Sequence, residues 1–229
     1  PSIHMASAHT DQPCLRIKPV PESKTRHYLK INTEVYGGAI LNTWFDRPLS
    51  IAGKVCLASD DILNPSTLLV DFKHPVLTIP SLAIHLTGKD DNAQPDKQTQ
   101  LVPIAGILNN DNMFLTALAQ ELGVQAEDIL DFDLYVYNQE SGTCLGLNDE
   151  MISSPRLDNL TSVNALLDGI ILGNSADSIN FIALYDNEEV GSGTKQGAGS
   201  TFLHDVLHRI NTALGKPEEA YYRALANSF

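Results

Sequence analysis

The stretch from Ile179 to Ser192 constrains this chain more than any other. A mostly apolar run, Ile179-Asn180-Phe181-Ile182-Ala183-Leu184, leads through Tyr185-Asp186-Asn187 into Glu188-Glu189 and then the glycine-rich turn Val190-Gly191-Ser192. A buried strand that ends in paired acids and then turns is where open α/β folds place their chemistry. Adjacent glutamates leave a strand end in different directions, so one can hold a metal while its neighbour handles a proton. That division of labour suits metal-assisted hydrolysis. The pair is also compatible with a solvated surface turn, although two ionised carboxylates repel unless a cation is near.

The texture around this stretch alternates helix and strand. Asp158 precedes an apolar stripe at helical spacing: Leu160, Val163, Leu166, Leu167, Ile170 and Ile171. The strand 179–184 follows. A second stripe (Phe202, Leu203, Val206, Leu207, Ile210) and a helix from Pro217 through Ala224 come next. With the strand-like segment Ile3–Ala8, this βα punctuation predicts a mostly parallel sheet in a domain built from residues 1–12 and 150–229.

Residues 13–149 read differently. Short β-like runs recur at Tyr28–Tyr36, Ile51–Ala58, Thr67–Phe72, Val76–Leu86 and Leu130–Tyr137, punctuated by Gly37-Gly38, Pro48, Gly53 and Pro80. A helix is expected at Met113–Leu122 and a mobile loop at Gly88–Gln100. The spacing predicts a β-rich insertion within the α/β domain, suited to self-association through a sheet edge.

Composition narrows the partners. The 229 residues are enough for one large domain or two smaller ones. A net charge of -13 argues against a nucleic-acid backbone as partner. No apolar run reaches the roughly 18–20 residues that span a bilayer. Cys14, Cys56 and Cys144 form neither a CxxC pair nor a disulfide framework, which favours a reducing compartment; they read as small buried hydrophobes. The start, Pro1-Ser2-Ile3-His4-Met5, shows no basic secretory n-region and no initiator Met. It reads as a strand entering mid-fold, so the expectation is a chain incomplete at its N-terminus.

Two further constellations fall near predicted strand and helix ends. His9-Thr10-Asp11 puts an imidazole and a carboxylate on one side of an extended chain. The His could ligate a metal with Asp11 behind it, or simply be hydrogen-bonded in a turn. Asp158 fits a helix N-cap or a carboxylate shared between two cations. His204-Asp205-Val206-Leu207-His208 lacks the glutamate of the HExxH motif, and both histidines fall opposite the apolar stripe, so they read as solvent-facing. Gly191-Ser192-Gly193-Thr194-Lys195 lacks phosphate-loop spacing, and no GxSxG elbow is present.

Seven stretches in order then carry a resemblance. They are Ala8–Asp11 with Leu15–Pro19, Glu34–Gly38, Thr43–Ser50, Ile79–Leu86, Gly146–Glu150, Arg156–Leu160 and Asp186–Ser192. Together they resemble the aspartyl aminopeptidase family, within the co-catalytic dizinc aminopeptidases. The resemblance implies an α/β fold: a three-layer α/β/α zinc-peptidase-type catalytic domain, partial here, with an inserted β-rich oligomerisation domain. It implies that His9 is a terminal ligand of one zinc, that Asp158 bridges two zincs, and that Glu189 binds the second. Glu188 would be the general base, Asp11 would orient His9 or tune the nucleophile, and His85 would reach a neighbouring subunit's active site. The implied substrates are peptides with an N-terminal Asp or Glu. The implied setting is a large cytoplasmic homo-oligomer, with no nucleic-acid or membrane partner.

The family completes its metal site with a further Asp and a further His that match no position here. Three ligands cannot hold two zincs in normal coordination, so little activity is expected of these residues alone. A non-catalytic scaffold of the same fold, and a deacetylase-like amidase, remain alternatives. The five retained site residues weigh against the scaffold. Trp44-Phe45-Asp46-Arg47 and Ile79–Leu86 weigh against the amidase.

Overall fold

The computed structural model describes residues 2–86, 94–107, 110–174 and 178–228. In chain order the strands and helices are β1 (Ser2–His9), β2 (Cys14–Thr25), β3 (Tyr28–Tyr36), β4 (Leu49–Leu57), β5 (Ser66–Asp71), β6 (Ile104–Ile107), α1 (Met113–Leu122) and β7 (Ile129–Asn138). They continue with β8 (Thr143–Leu145), β9 (Met151–Ser153), α2 (Leu157–Leu172), β10 (Ser178–Tyr185), α3 (Phe202–Ala213) and α4 (Glu218–Ala226). The chain divides into two compact units: Pro1–Gln12 with Arg156–Phe229, and Pro13–Pro155. The second unit runs past Asp149 because β8 pairs antiparallel with β9, which keeps 151–153 with it.

In the first unit β1 and β10 form a parallel pair in continuous register, from Ser2↔Ser178 to His9↔Tyr185. Ile3 and Met5 lie two apart on β1 and so share a face. Ile3 is buried with Leu207 of α3 and Tyr221 of α4, and Met5, Phe181 and Leu203 pack against them. The Ser228 hydroxyl accepts the Ile3 amide at 3.0 Å, tying the α4 end to β1. Helix α2 lies along β1 and β10 through Ala165, Leu166, Gly169 and Ile170, yet none of its residues is fully buried.

The second unit is a six-stranded antiparallel sheet in the order β5-β4-β7-β2-β3-β6. Its buried positions alternate as a one-faced sheet requires: Leu15 and Ile17, Leu29 and Ile31, Leu49 and Ile51, Leu134 and Val136. Phe114 and Leu118 of α1 close onto this face. The α1 helix ends at Gly123, whose φ of 69° is the left-handed cap that glycine adopts without strain.

Several sequence expectations change. Val76–Leu86 is not a strand. It makes isolated bridges at Leu77 and Thr78, then passes Pro80, which has no amide to donate, and ends in a single 3-10 turn at Ile84–Leu86. β2 is the longest strand and carries Pro19 and Pro21; they sit at a register shift between Ile17 and Glu22, where the ladder needs no donors from them. None of the three cysteines is buried: Cys14 and Cys56 are half-buried and Cys144 is exposed, and none is in a disulfide. Of the loop expected at Gly88–Gln100, residues 88–93 lie outside the described residues. Residues 94–100 form turns in which the Asp96 carboxylate accepts the amides of Gln98 and Thr99. Among the described residues, no helix is long and apolar enough to cross a membrane.

Candidate metal centre

The C-terminal ends of β1 and β10 lie side by side, and each runs directly into site residues. Tyr185 O accepts the Thr10 amide at 2.8 Å and the Thr10 hydroxyl at 3.0 Å, which locks the two strand ends together. Past Tyr185 the chain folds back on itself. Asn187 takes the left-handed conformation (φ 61°), which asparagine tolerates better than most residues. Its carbonyl accepts the Ser192 amide at 2.8 Å, and its side-chain oxygen accepts the Thr194 hydroxyl at 2.7 Å. Glu188 and Glu189 sit in the one-turn 3-10 segment that results.

Asp11 binds that segment. Its Oδ1 accepts the Glu188 amide and its Oδ2 the Glu189 amide, each at 3.1 Å. One buried carboxylate thus accepts two successive N–H groups of the turn. The Asp11 carbonyl also lies 3.0 Å from His9 Nδ1. A proton on Nδ1 donated to that carbonyl leaves Nε2 facing the acids, an arrangement that fixes the donor nitrogen of metal-binding histidines.

His9 Nε2 lies 3.2 Å from Asp158 Oδ1 and 3.9 Å from Glu188 Oε2. Ligand atoms of His9, Glu188 and Glu189 all fall within 4.8 Å of one another. His9 is largely enclosed, whereas the Asp158 and Glu188 side chains are 87% and 55% exposed. Burial opposes protonation of His9, but the Asp11 carbonyl and then the Glu188, Asp11 and Asp158 carboxylates outweigh it and raise its pKa above the ordinary value. The field that holds a proton there also attracts a cation.

The donor set fits zinc. Two donors about 2.0–2.1 Å from a tetrahedral zinc stand about 3.3 Å apart, and the His9–Asp158 separation of 3.2 Å matches. Imidazole with carboxylate oxygens is a common zinc donor set. Asp158 is not a helix N-cap. Arg156 precedes α2 in the left-handed conformation without a side-chain cap bond, and Asp158 lies in the first turn with non-helical φ and ψ. That bend turns its carboxylate to His9.

Five of the six sequence-selected site residues therefore converge: His9, Asp11, Asp158, Glu188 and Glu189. His85 occupies the exposed turn Ile84–Leu86 of the other unit. The sequence reading missed Asn187 and Thr194, which shape the acidic turn. The signal for Asn187 was available, because asparagine just before a tight turn is a left-handed candidate. Nothing in the sequence pointed to Thr194.

Fold and site together define an α/β unit with a candidate metal centre where parallel strands end. The sequence profile described as aminopeptidase I zinc metalloprotease (M18) matches residues 1–229, and the chain belongs to that family. A probable M18 family aminopeptidase 2 of Clostridium acetobutylicum is 47% identical over 228 residues, covering 96% of this chain and 52% of that protein. An aspartyl aminopeptidase of Caenorhabditis elegans is 37% identical over 250 residues, with the same two coverages. Among solved structures, one described as the S. cerevisiae mApe1 dodecamer superposes with a TM-score of 0.81 at 27% identity, covering 99% of this chain and 53% of that one. The chain spans about half the length of the curated relatives it matches.

Proposed function

We propose that His9, Asp158 and Glu189 hold zinc in a metallo-aminopeptidase centre that removes N-terminal residues, preferably Asp or Glu, from peptides. The observation that carries this reading is the convergence of His9 Nε2, Asp158 and the Glu188–Glu189 pair, with both glutamate amides fixed by Asp11. Bound zinc, two ions in the complete centre, would acidify a water and polarise the scissile carbonyl. Glu188 is the general base. Its exposed carboxylate, 3.9 Å from His9 Nε2, is placed to take a proton and pass it to the leaving amine. Asp158 would be the ligand shared by the two ions. Asp11 orients His9 and sets where both glutamates sit.

His9, Asp158, Glu188 and Glu189 offer too few donors for two four-coordinate ions, so low turnover is expected of these 229 residues alone. The β-rich unit serves self-association into a large homo-oligomer, and His85, on an exposed turn of that unit, acts at a neighbouring copy's centre.

Zinc binding by equilibrium dialysis, with release of N-terminal Asp, Glu or Leu from peptides, tests this reading. Glu188→Gln should keep zinc affinity within a few-fold and lower any hydrolysis by about 10²–10⁴. His9→Ala and Glu189→Gln should weaken zinc by at least about ten-fold. A Glu188→Gln chain that loses zinc as badly as Glu189→Gln would sink the division of roles. Faster release of Leu than of Asp or Glu would sink the proposed specificity, and turnover like that of an intact relative would refute the low-activity expectation.

A further inference from the structure

The histidines of α3 that read as solvent-facing decoys have a more specific environment. His204 and His208 are one helical turn apart, so they lie on the same face. Their rings are parallel, with an interplanar angle of 4° and centroids 6.2 Å apart. Tyr221 of α4 stands perpendicular to both, at centroid distances of 5.5 Å and 5.3 Å. Tyr221 is itself only 2% exposed, and its hydroxyl donates to the His204 carbonyl at 3.4 Å. Both imidazoles are therefore backed by a fixed aromatic ring, with their planes parallel.

Asp205 adds a second constraint. Its Oδ1 lies 3.4 Å from His204 Nδ1, while its Oδ2 accepts the Thr201 hydroxyl at 2.7 Å. A carboxylate that takes the Nδ1 proton of a histidine leaves Nε2 as the donor atom, the arrangement found behind metal-bound imidazoles.

We propose that His204 and His208, steadied by Asp205 and Tyr221, form a second cation site that takes a borderline divalent ion of the zinc or nickel kind. Imidazole pairs select such ions over magnesium or calcium, which take oxygen ligands. Two imidazoles on one tetrahedral ion have ring centroids about 5 Å apart. The rings must therefore close by roughly an ångström from their present 6.2 Å, which takes a χ1 adjustment on a partly exposed face while χ2 turns each Nε2 toward the shared ion. Water completes the coordination, so the site is open and exchanges its ion readily. It shares no residue with the His9 cluster, and the zinc content of the protein would exceed what the first cluster holds.

The test uses the full chain carrying His9→Ala, which weakens the first cluster, titrated with Ni²⁺ and with Zn²⁺ alone. Saturable binding of one ion per chain is expected. His204→Gln or His208→Gln should each weaken it by at least about ten-fold, Asp205→Asn by a smaller factor, and His27→Gln not at all. No saturable binding in the His9→Ala chain, or affinity unchanged by both histidine substitutions, overturns the proposal. The unsubstituted chain provides a check that does not depend on any variant folding. Zn²⁺ should protect His204 and His208 together from carbethoxylation by diethyl pyrocarbonate, mapped by peptide mass, while His27 stays reactive. Modification of both residues at an unchanged rate overturns the proposal as firmly.

Discussion

Asp11 illustrates how one side chain can govern a site it need not ligate. Both of its carboxylate oxygens are committed to the amides of Glu188 and Glu189, and its own carbonyl steadies His9. Asp11→Ala should weaken zinc binding by about 10–100-fold, the usual cost of losing an outer partner of metal ligands. Asp11→Asn, which keeps only one acceptor oxygen, should fall between the two. A zinc titration that finds Asp11→Ala equal to the parent chain would show that the turn holds its shape unaided. The residue identities at this site were legible in the sequence, because acids and imidazole at predicted strand and helix ends stand out. The contacts were not. HxD spacing suggested that Asp11 serves His9, and nothing local to residue 11 discloses that it serves amides 177 and 178 residues away.

At the scale of elements, Gly197 is a position where the turn after β10 needs glycine. A Cβ at Gly197 would collide with the Ser192 backbone, whose carbonyl accepts the Gly199 amide at 3.1 Å. Gly197→Ala should therefore destabilise the acidic turn by about 1–3 kcal/mol, as overpacking does, and weaken zinc binding with it. Retention of both parent values would show that the turn relaxes freely. Elsewhere, Tyr135 on β7 carries a perturbed phenol. Burial, and then the neighbouring Asp133 carboxylate, push its pKa up to about 12. The neutral phenol is favoured in the folded chain, so its contribution to stability is complete below the ordinary value of about 10 and disappears as pH rises from there to about 12. Phenolate absorbance should show Tyr135 titrating late, and Asp133→Asn should bring it back toward the ordinary value. Strands with alternating apolar residues, and helices with apolar stripes, were legible because period alone identifies them. β2 escaped notice because its prolines interrupt the pattern, and Val76–Leu86 misled because alternation persisted where the backbone pairing stopped.

For the molecule as a whole, burial is uneven. The antiparallel sheet and α1 enclose an extensive apolar core, whereas the first unit centres on Ile3, Leu207 and Tyr221. Helix α2 buries none of its residues fully, and Ile171 and Leu172 are 75% and 82% exposed. Local opening is least costly where few apolar contacts must break. Amide hydrogen exchange should therefore be slowest in β4 and β7 and markedly faster in α2. Protection of α2 equal to that of β7 would contradict this ordering. The expectation of an α/β unit and a β-rich unit rested on the change of texture along the sequence. The thinness of the first core was not legible there, because stripes of leucine and isoleucine report which face is apolar and not how much covers it.

The bonds from Asp11 to the glutamate amides also set a timetable. During synthesis, residues 9–11 are made long before Glu188, with the whole second unit between them. At about 5–20 residues per second, the delay is on the order of ten to thirty-five seconds. The intervening sheet pairs within its own stretch of chain and has time to fold first. In that order, the bonds from Asp11 to the glutamate amides close only after the intervening stretch has folded, and the candidate metal centre assembles late.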